Sequence, residues 1–320
     1  MGVNTDKLPA YKKVSGNILE MRTILTSTLF LLALNIYSQQ PIIDVHVHCM
    51  PDEVFDYSPE GIKDTYGNIS SLSAEEHFNE TYSIFQKYNI TAIVSGRTDI
   101  VEDWVQKDTD NRIIRGLMFG GPNNETFDTA QFESLIQEGK IEVFGEVGTW
   151  YAGELLSDPK WDPYLRICEK YDIPVGIHTG GGGEGVTYRF ASKARLSNAD
   201  PYLLEDILIK YPNLRVYFMH SGGAFHEHVI RLMLTYPQLH SGLGAMLWAA
   251  PLDKYNGVEF LKKAKAAGYL DRVMFGSDQV FWPDAIVKSI DFLNSMEFLT
   301  EEEKRDIFYN NAVKFFKVEK

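Results

Sequence analysis

The sequence predicts an α/β protein in which one large domain forms a (β/α)8 TIM barrel. Short apolar runs rich in β-branched and aromatic residues recur eight times along the chain and are typical of strands. Amphipathic segments with helical periodicity separate these runs. Alternating strands and helices favour parallel βα units, and eight such units are the number that closes into a barrel.

The predicted elements follow one another in chain order. The predicted strands are Ile42–Val47, Ile90–Ser95, Ile113–Phe119, Glu142–Val147, Pro174–His178, Arg215–His220, His240–Met246 and Val273–Gly276. The predicted helices are Ala74–Tyr88, Ala130–Glu138, Tyr164–Tyr171, Tyr202–Tyr211, Phe225–Tyr236, Val258–Ala267, Ala285–Met296 and Glu301–Phe316. Thr300 precedes the last helix and Glu303 follows three positions later, which is the pattern of a capping box.

An open doubly wound sheet is the alternative arrangement of the same elements. A dinucleotide-binding sheet carries a G-x-G-x-x-G turn after a strand, and no predicted strand is followed by one. The run Gly180–Gly183 lacks this spacing and has no Lys-Ser or Lys-Thr pair of a phosphate-binding loop. No internal repeat or low-complexity linker divides the rest of the sequence. Residues 40–320 are therefore predicted to form one domain.

Residues 1–39 are predicted to be an N-terminal extension with a signal-peptide-like segment. The run Thr23–Ile36 is almost entirely apolar, follows Arg22 and precedes the small residue Ser38, as in a secretory signal. It is too short to span a bilayer. These features predict a secreted or periplasmic protein with no stable membrane insertion after cleavage. The alternative is a buried helix of the folded domain.

Composition narrows the class of partner. The formal net charge is −13, so the surface repels nucleic acid and anionic membranes, and no basic stripe reverses this. We therefore expect a small-molecule substrate and no nucleic-acid partner. The two cysteines, Cys49 and Cys168, form no C-x-x-C pair, which argues against a zinc finger or a disulfide scaffold.

The sequence Asp44-Val45-His46-Val47-His48 ends the first predicted strand. Side chains alternate faces along a strand, so His46 and His48 point the same way, about 6–7 Å apart. Both imidazoles can then reach one metal ion. The alternative is a half-buried strand in which the two histidines serve packing alone.

Side chains of metal-ligand type also stand at the ends of four other predicted strands. In a barrel the C-terminal strand ends converge on one mouth, where active sites lie. A single such residue is most simply structural, but five marked strand ends together predict a metal site at that mouth. The further candidates are Glu146, His178, His220 and Asp278.

The ordered series His-x-His, Glu, His, His, Asp resembles the metal-dependent hydrolases of the amidohydrolase superfamily. The similarity is greatest to the amidohydrolase-related (amidohydrolase 2) branch and extends over residues 42–316. The resemblance implies a distorted TIM barrel with one or two divalent metal ions at its mouth. Many members form homodimers, so a homodimer is a further expectation.

The resemblance also implies a role for each histidine and for Asp278. His46 and His48 would bind the more buried metal ion, and His178 and His220 would bind a second one. Asp278 would bind the first ion and accept the proton of the attacking water, as a catalytic residue.

Glu146 occupies the position where many family members place a bridging carboxylate. Its Gly-Glu-Val-Gly setting is similar to that of the TatD-like deoxyribonucleases. In many amidohydrolase-related proteins and their decarboxylase relatives this strand supplies no ligand. Glu146 therefore favours two metal ions, since a carboxylate bridge can hold two cations about 3.5–4 Å apart.

The ligand chemistry limits the choice of metal. Neutral imidazole and carboxylate suit Zn²⁺, Mn²⁺ or Fe²⁺, and no thiolate cluster favours softer ions. Zn²⁺ is the expected ion. With an open coordination position, such an ion lowers the pKa of bound water from near 15.7 to about 7.

Substrate contacts are predicted from loop residues that follow the strands. Arg97 could bind a substrate carboxylate, although an ion pair with Asp99 is an equal alternative. Trp150 and Trp282 suggest an apolar or ring-bearing substrate, although lid packing would explain them equally well. Asp44 could orient a metal ligand by a hydrogen bond or could cap the strand end.

The leading functional hypothesis is a metal-dependent hydrolase acting on a small amide, ester or lactone. One alternative is a metal-dependent, non-oxidative decarboxylase of a small aromatic acid, which needs one metal ion. A TatD-like phosphoesterase is another, and the acidic charge argues against a nucleic-acid substrate for it. The last is a secreted metal-binding protein without catalysis.

Overall fold

Eight strands form a single parallel sheet in chain order, which confirms the predicted barrel. The structure is a computed structural model that describes residues 1–2, 40–56, 58, 60–64, 66–121 and 126–318. The strands are β1 (Ile42–His48), β2 (Ile90–Gly96), β3 (Ile113–Phe119), β4 (Val143–Val147), β5 (Val175–His178), β6 (Val216–Met219), β7 (Leu239–Gly242) and β8 (Val273–Met274).

Hydrogen bonds between β1 and the chain that follows β8 close the barrel. The backbone N–H of Val45 donates to Phe275 O at 3.0 Å, and that of His48 donates to Gln279 O at 2.9 Å. Val47 forms a parallel bridge with Gln279. The first strand is thereby flanked on both sides, and its C-terminal end faces the barrel mouth.

The helices lie between the strands in sequence, as βα units require. They are α1 (Asp52–Phe55), α2 (Ala74–Tyr88), α3 (Thr98–Lys107), α4 (Thr129–Gln137), α5 (Asp162–Tyr171), α6 (Val186–Arg189), α7 (Glu205–Lys210), α8 (His226–Thr235), α9 (Pro251–Ala267), α10 (Asp284–Asn294), α11 (Glu301–Arg305) and α12 (Asn311–Phe316). The predicted capping box is present, since the Thr300 side chain accepts from the N–H of Glu303 and the Glu303 side chain accepts from that of Thr300.

Two apolar clusters hold these layers together. The larger one lies between the sheet and the surrounding helices and includes Phe85, Phe132 and Phe260, all fully buried. The smaller one includes strand residues such as Tyr217 and is joined by Phe315 of α12. These contacts leave the opposite end of the strands to polar side chains.

Several predicted boundaries are wrong, each for a local reason. The predicted strand His240–Met246 ends at Gly242, because Gly244 has a positive φ of 53° and a 3-10 turn, Gly244–Leu247, follows. The predicted helix Val258–Ala267 begins earlier, at Pro251, whose fixed φ suits a first helical turn.

The remaining differences concern helices. The sequence analysis did not identify α3 after β2 or the two four-residue helices α1 and α6. The predicted helix Tyr202–Tyr211 is a 3-10 turn, Pro201–Leu204, followed by α7. The final helix is interrupted by a π turn, Asp306–Asn310, between α11 and α12.

The predicted N-terminal extension, residues 1–39, lies almost wholly outside the described residues. Residues 41–320 form one compact unit. Within the described ranges, no helix has both the length and the apolar character needed to cross a membrane.

Candidate metal centre

The structure brings together all six side chains that the sequence analysis selected as metal ligands. Four of them lie on strands: His46 and His48 on β1, Glu146 on β4 and His178 on β5. The other two follow strands, with His220 directly after β6 and Asp278 in the segment after β8. The four histidines and Glu146 are buried, and the side chain of Asp278 is 13% exposed. Two groups of potential ligand atoms result, and Glu146 belongs to both.

The first group consists of four atoms at one end of Glu146. Nε2 of His46 lies 2.9 Å from Nε2 of His48. Glu146 Oε2 is 3.3 Å from the His46 nitrogen and 3.2 Å from the His48 nitrogen. Asp278 Oδ1 lies 3.2 Å and 3.1 Å from the same two nitrogens.

The second group lies at the other carboxylate oxygen. Oε1 of Glu146 contacts Nδ1 of His178. Nε2 of His220 lies 3.5 Å from this oxygen and 3.1 Å from Nδ1 of His178. Glu146 therefore presents one oxygen to each group, which is the arrangement of a bridging carboxylate.

A backbone irregularity in β1 directs its histidines to this site. The pairing of β1 with β2 shifts register between Asp44 and Val47. Val45 packs in the smaller apolar cluster, whereas Val47 packs in the larger one outside the sheet. Such a bulge re-aims side chains, and here it turns His46 and His48 towards the mouth.

The ring of His178 is fixed from two sides. Its Nε2 donates to the carbonyl oxygen of Gly181 at 2.9 Å, so Nδ1 is the ring nitrogen that faces Glu146 and that a neutral ring would offer to a metal ion. Trp150 stacks on the ring with centroids 5.3 Å apart and planes inclined by 15°. The Trp150 indole N–H donates to Arg195 O at 2.7 Å. The tautomer and the orientation suited to a metal ligand are thus set by neighbouring groups.

Gly244 borders two other rings of the site. A Cβ at this position would lie 2.8 Å from Nδ1 of His220 and 3.3 Å from Nδ1 of His46. Its positive φ of 53° also favours glycine. Any side chain here would displace the histidines, and the sequence analysis did not identify this requirement.

The electrostatics of the site favour a cation. Burial would raise the pKa of Glu146, but the charge and hydrogen bond of His178 outweigh it and hold that pKa well below its usual range. Burial likewise opposes ionisation of Asp278, but the charge of His46 and the hydrogen bond of His48 lower its pKa. Burial alone would lower the pKa of His48, yet hydrogen bonds to both carboxylates raise it to about 9. Two ionised, buried carboxylates thus stabilise positive charge among the imidazoles.

The residues present fit divalent metal ions. A metal at 2.0–2.2 Å from tetrahedral nitrogen and oxygen ligands separates those ligands by about 3.3–3.6 Å. The distances of 2.9–3.3 Å within the first group are slightly shorter, so a bound ion needs only a small outward shift of these side chains. The four histidines and two carboxylates are therefore a set of side chains that could hold one or two ions.

Asp44 acts on the backbone rather than on an imidazole. Its Oδ1 accepts from the N–H of His46 at 3.1 Å and from that of Ser277 at 2.9 Å. The side chain is fully buried, and burial raises its pKa to about 7. It joins the end of β1 to the segment that carries Asp278, so its contacts match the strand-end cap, the second of the two predicted alternatives.

Three further aromatic side chains lie beside the centre. Tyr151 follows Trp150, and its ring centroid is 4.7 Å from that of His178. Burial, together with the charges of Glu146 and Asp278, raises the pKa of Tyr151 well above its usual range. Trp248 and Trp282 contact each other with centroids 5.7 Å apart.

The indoles of this second pair donate to backbone carbonyls. Trp248 Nε1 donates to Ser277 O at 2.6 Å, and Trp282 Nε1 donates to Ile62 O at 3.1 Å. Trp282 therefore ties the loop after β1 to the segment after β8. The role of Trp282 in binding substrate stays a prediction.

Arg97 directly follows β2. Its Nε and Nη2 donate to Asp99 at 3.0 Å and 2.6 Å, and the side chain is 36% exposed. The ion pair considered as the alternative is present. A substrate carboxylate would have to compete with Asp99 for this guanidinium.

Comparisons with known proteins agree with the fold. Similar solved structures include an uncharacterized TIM-barrel protein from Bordetella bronchiseptica, with 17% identity, a TM-score of 0.67 and coverage of 87% of this chain and 99% of that chain. A probable 2-pyrone-4,6-dicarboxylic acid hydrolase from Acinetobacter baumannii has 16% identity, a TM-score of 0.58 and coverage of 87% of this chain and 99% of that chain. 2,6-Dihydroxybenzoate decarboxylase from Rhizobium has 15% identity, a TM-score of 0.54 and coverage of 88% of this chain and 99% of that chain.

Identities this low support a shared fold and nothing finer. No curated protein matches the sequence. The sequence profile of the Amidohydrolase family, however, matches residues 43–318, which span the whole barrel from β1 to α12. The chain therefore belongs to the amidohydrolase family.

Proposed function

We propose that this protein is a hydrolase that uses two divalent metal ions, with Zn²⁺ as the expected ion, to cleave a small amide, ester or lactone. The observation that carries the proposal is the position of Glu146, whose two oxygens contact two separate histidine pairs. A decarboxylase with one ion has no need of a carboxylate shared in this way.

Different side chains would bind each of the two ions. His46, His48 and Asp278 would bind one ion, and His178 and His220 would bind the other, with Glu146 between them. When bound, the ions would polarise the scissile carbonyl and lower the pKa of water towards neutrality.

Two distances support Asp278 as the residue that moves the proton. Its Oδ1 lies among the first group of ligand atoms, while Oδ2 is 3.7 Å from Nδ1 of His220 on the side of the second group. Its lowered pKa keeps the carboxylate ionised and able to accept a proton from the attacking water. The same carboxyl group would then return that proton to the leaving group.

The experiment is a metal analysis followed by a substrate screen. We expect about two zinc ions per chain and hydrolysis of at least one class among amides, esters and lactones. Asp278→Asn should lower turnover by a factor of about 10²–10⁴. One ion per chain with carbon dioxide release from an aromatic acid would instead establish the decarboxylase. Hydrolysis of phosphoesters alone would establish the TatD-like alternative. Metal binding that Asp278→Asn leaves unchanged, with no substrate turned over by the wild type, would indicate a metal-binding protein without catalysis.

We also propose that the protein is secreted or periplasmic. The support is the apolar run Thr23–Ile36 between Arg22 and Ser38. Mass spectrometry of the protein from its native host should show a mature chain that begins near Gln39. A chain that retains residues 23–36 would contradict this localisation.

A further inference from the structure

Two aromatic side chains stand at the mouth of the barrel on the side of β4 and β5. Tyr151 lies in the 3-10 turn Thr149–Ala152, which directly follows the strand that carries Glu146. Phe190 directly follows α6 as its C-cap residue and is 57% exposed. Their ring centroids are 5.8 Å apart, with planes inclined by 34°.

The absence of a side chain at Gly148 leaves room for the ring of Tyr151. A Cβ on Gly148 would lie 2.8 Å from Cδ2 of Tyr151, so the ring occupies space that only glycine leaves free. On its other side the ring contacts His178, at a centroid distance of 4.7 Å. Tyr151 is therefore held between the backbone of its own turn and a candidate metal ligand.

The hydroxyl of Tyr151 is not used to hold the fold. It makes no hydrogen bond to any part of the chain that the structure describes. The indole N–H groups of Trp150, Trp248 and Trp282, in contrast, all donate to backbone carbonyls. A phenol is protonated at neutral pH, so Tyr151 offers a free donor beside the centre.

Phe190 differs from the buried aromatic residues because the fold leaves much of it exposed. Phe190 is 57% exposed beside Tyr151, although apolar surface of this kind is ordinarily removed from water. A planar ligand group seated on the ring would bury this surface and gain aromatic packing.

We propose that Tyr151 and Phe190 form one wall of the substrate pocket and select a carbonyl or carboxyl compound that carries a planar, ring-sized group. Tyr151 donates a hydrogen bond to a substrate oxygen beside the metal centre, and Phe190 packs against the ring. This inference rests on the proposed function, because the metal centre anchors the reacting end of the substrate.

Two hydroxamates test the two contacts separately. Benzohydroxamate and acetohydroxamate present the same metal-chelating oxygens, but only the first carries a ring. Their dissociation constants would be measured by calorimetry on the zinc-loaded protein. We expect benzohydroxamate to bind the wild-type protein about 5–10-fold more tightly.

The variants should separate the donor from the ring. Tyr151→Phe should weaken both probes by a similar factor of about 3–10, since a hydrogen bond common to both is lost. Phe190→Ala should remove the preference for benzohydroxamate and leave acetohydroxamate unchanged. Tyr188→Phe and Tyr188→Ala are the controls, because Tyr188 is 94% exposed on the same short helix and should affect neither probe.

Zinc content, measured on every protein, identifies which claim fails. Zinc bound normally with equal affinity for the two probes, or with Tyr151→Phe indistinguishable from wild type, overturns this inference and leaves the proposed function standing. A wild-type protein that binds no zinc overturns both.

Discussion

Asp278 donates its backbone N–H to the carbonyl oxygen of His46 at 2.7 Å, while its Oδ1 lies 3.2 Å from Nε2 of the same histidine. The first of these contacts helps to close the barrel, and the second belongs to the candidate metal centre. Asp278 also has a positive φ of 53°, which is costly for a residue with a side chain. The closure of the barrel therefore fixes the carboxylate that is proposed to move the proton.

Asp278→Ala and Asp278→Asn should separate backbone strain from chemistry. Asparagine tolerates the left-handed region better than alanine does, so the alanine variant should be less stable by about 1 kcal/mol. Urea denaturation of the metal-free proteins measures this difference, and both variants should lose turnover. Equal stability of the two variants would show that the backbone conformation at this position carries no cost.

Glu146→Gln tests the shared carboxylate. The amide keeps the shape of the side chain but loses the charge and one of the two acceptor oxygens, so zinc content should fall from about two ions per chain to one or fewer. Glu142→Gln is the matched control, because Glu142 immediately precedes the same strand and contacts Arg115 at 3.0 Å and 3.5 Å instead. Unchanged zinc content in Glu146→Gln would contradict the bridge.

Gln279→Ala tests a buried contact behind Asp278. The amide of Gln279 donates to Nε2 of His77 and to Oγ1 of Thr81 at 3.2 Å, and all three side chains are fully buried. The variant leaves His77 without this partner, which should cost about 1–3 kcal/mol of stability. Because Gln279 adjoins Asp278, zinc affinity should fall by a factor of about 10.

Thr81→Val is the control for this position. It removes the weaker of the two contacts of Gln279 and keeps the contact with His77, so its effect on urea denaturation and on zinc affinity should be smaller. If Gln279→Ala loses stability but binds zinc as the wild type does, the contact serves the fold alone.

The stability of the fold should fall with acidification because His240 is neutral in the folded protein. Burial lowers the pKa of His240 to about 4 from an ordinary value of 6.5. Between these values the unfolded chain binds a proton that the folded chain does not, so stability is lost as the pH falls through this window.

His240→Phe should reduce this loss. Phenylalanine keeps the ring contact with Phe315, for which the histidine centroid distance is 4.5 Å, and removes the titration. Between pH 6.5 and 4 the variant should lose about 2 kcal/mol less than the wild type in urea denaturation. Parallel pH profiles for the two proteins would contradict the assignment.

The sequence was sufficient for the barrel and for the convergence of the six candidate ligands. Parallel strands put their C-terminal ends at one mouth, so the order of strands alone places His46, Glu146 and Asp278 near one another. The metal-binding roles of these side chains remain predictions.

Contacts between distant segments could not be predicted in this way. Gln279 and His77 are 202 positions apart, and their pairing depends on how α2 packs against the chain after β8. The early end of β7 depends on the conformation of Gly244, which the apolar pattern of residues 240–246 does not reveal. The sequence left two roles open for Asp44, and only the structure shows that its side chain accepts from backbone N–H groups.

The central claim is that Glu146 joins two histidine pairs into one centre for two divalent ions. Anomalous diffraction above and below the zinc absorption edge, from crystals of the zinc-loaded protein, tests this claim most directly. We predict two peaks with Glu146 between them, one bounded by His46, His48 and Asp278 and the other by His178 and His220. No peak at this mouth, or a single peak that Glu146 does not contact, would contradict the account.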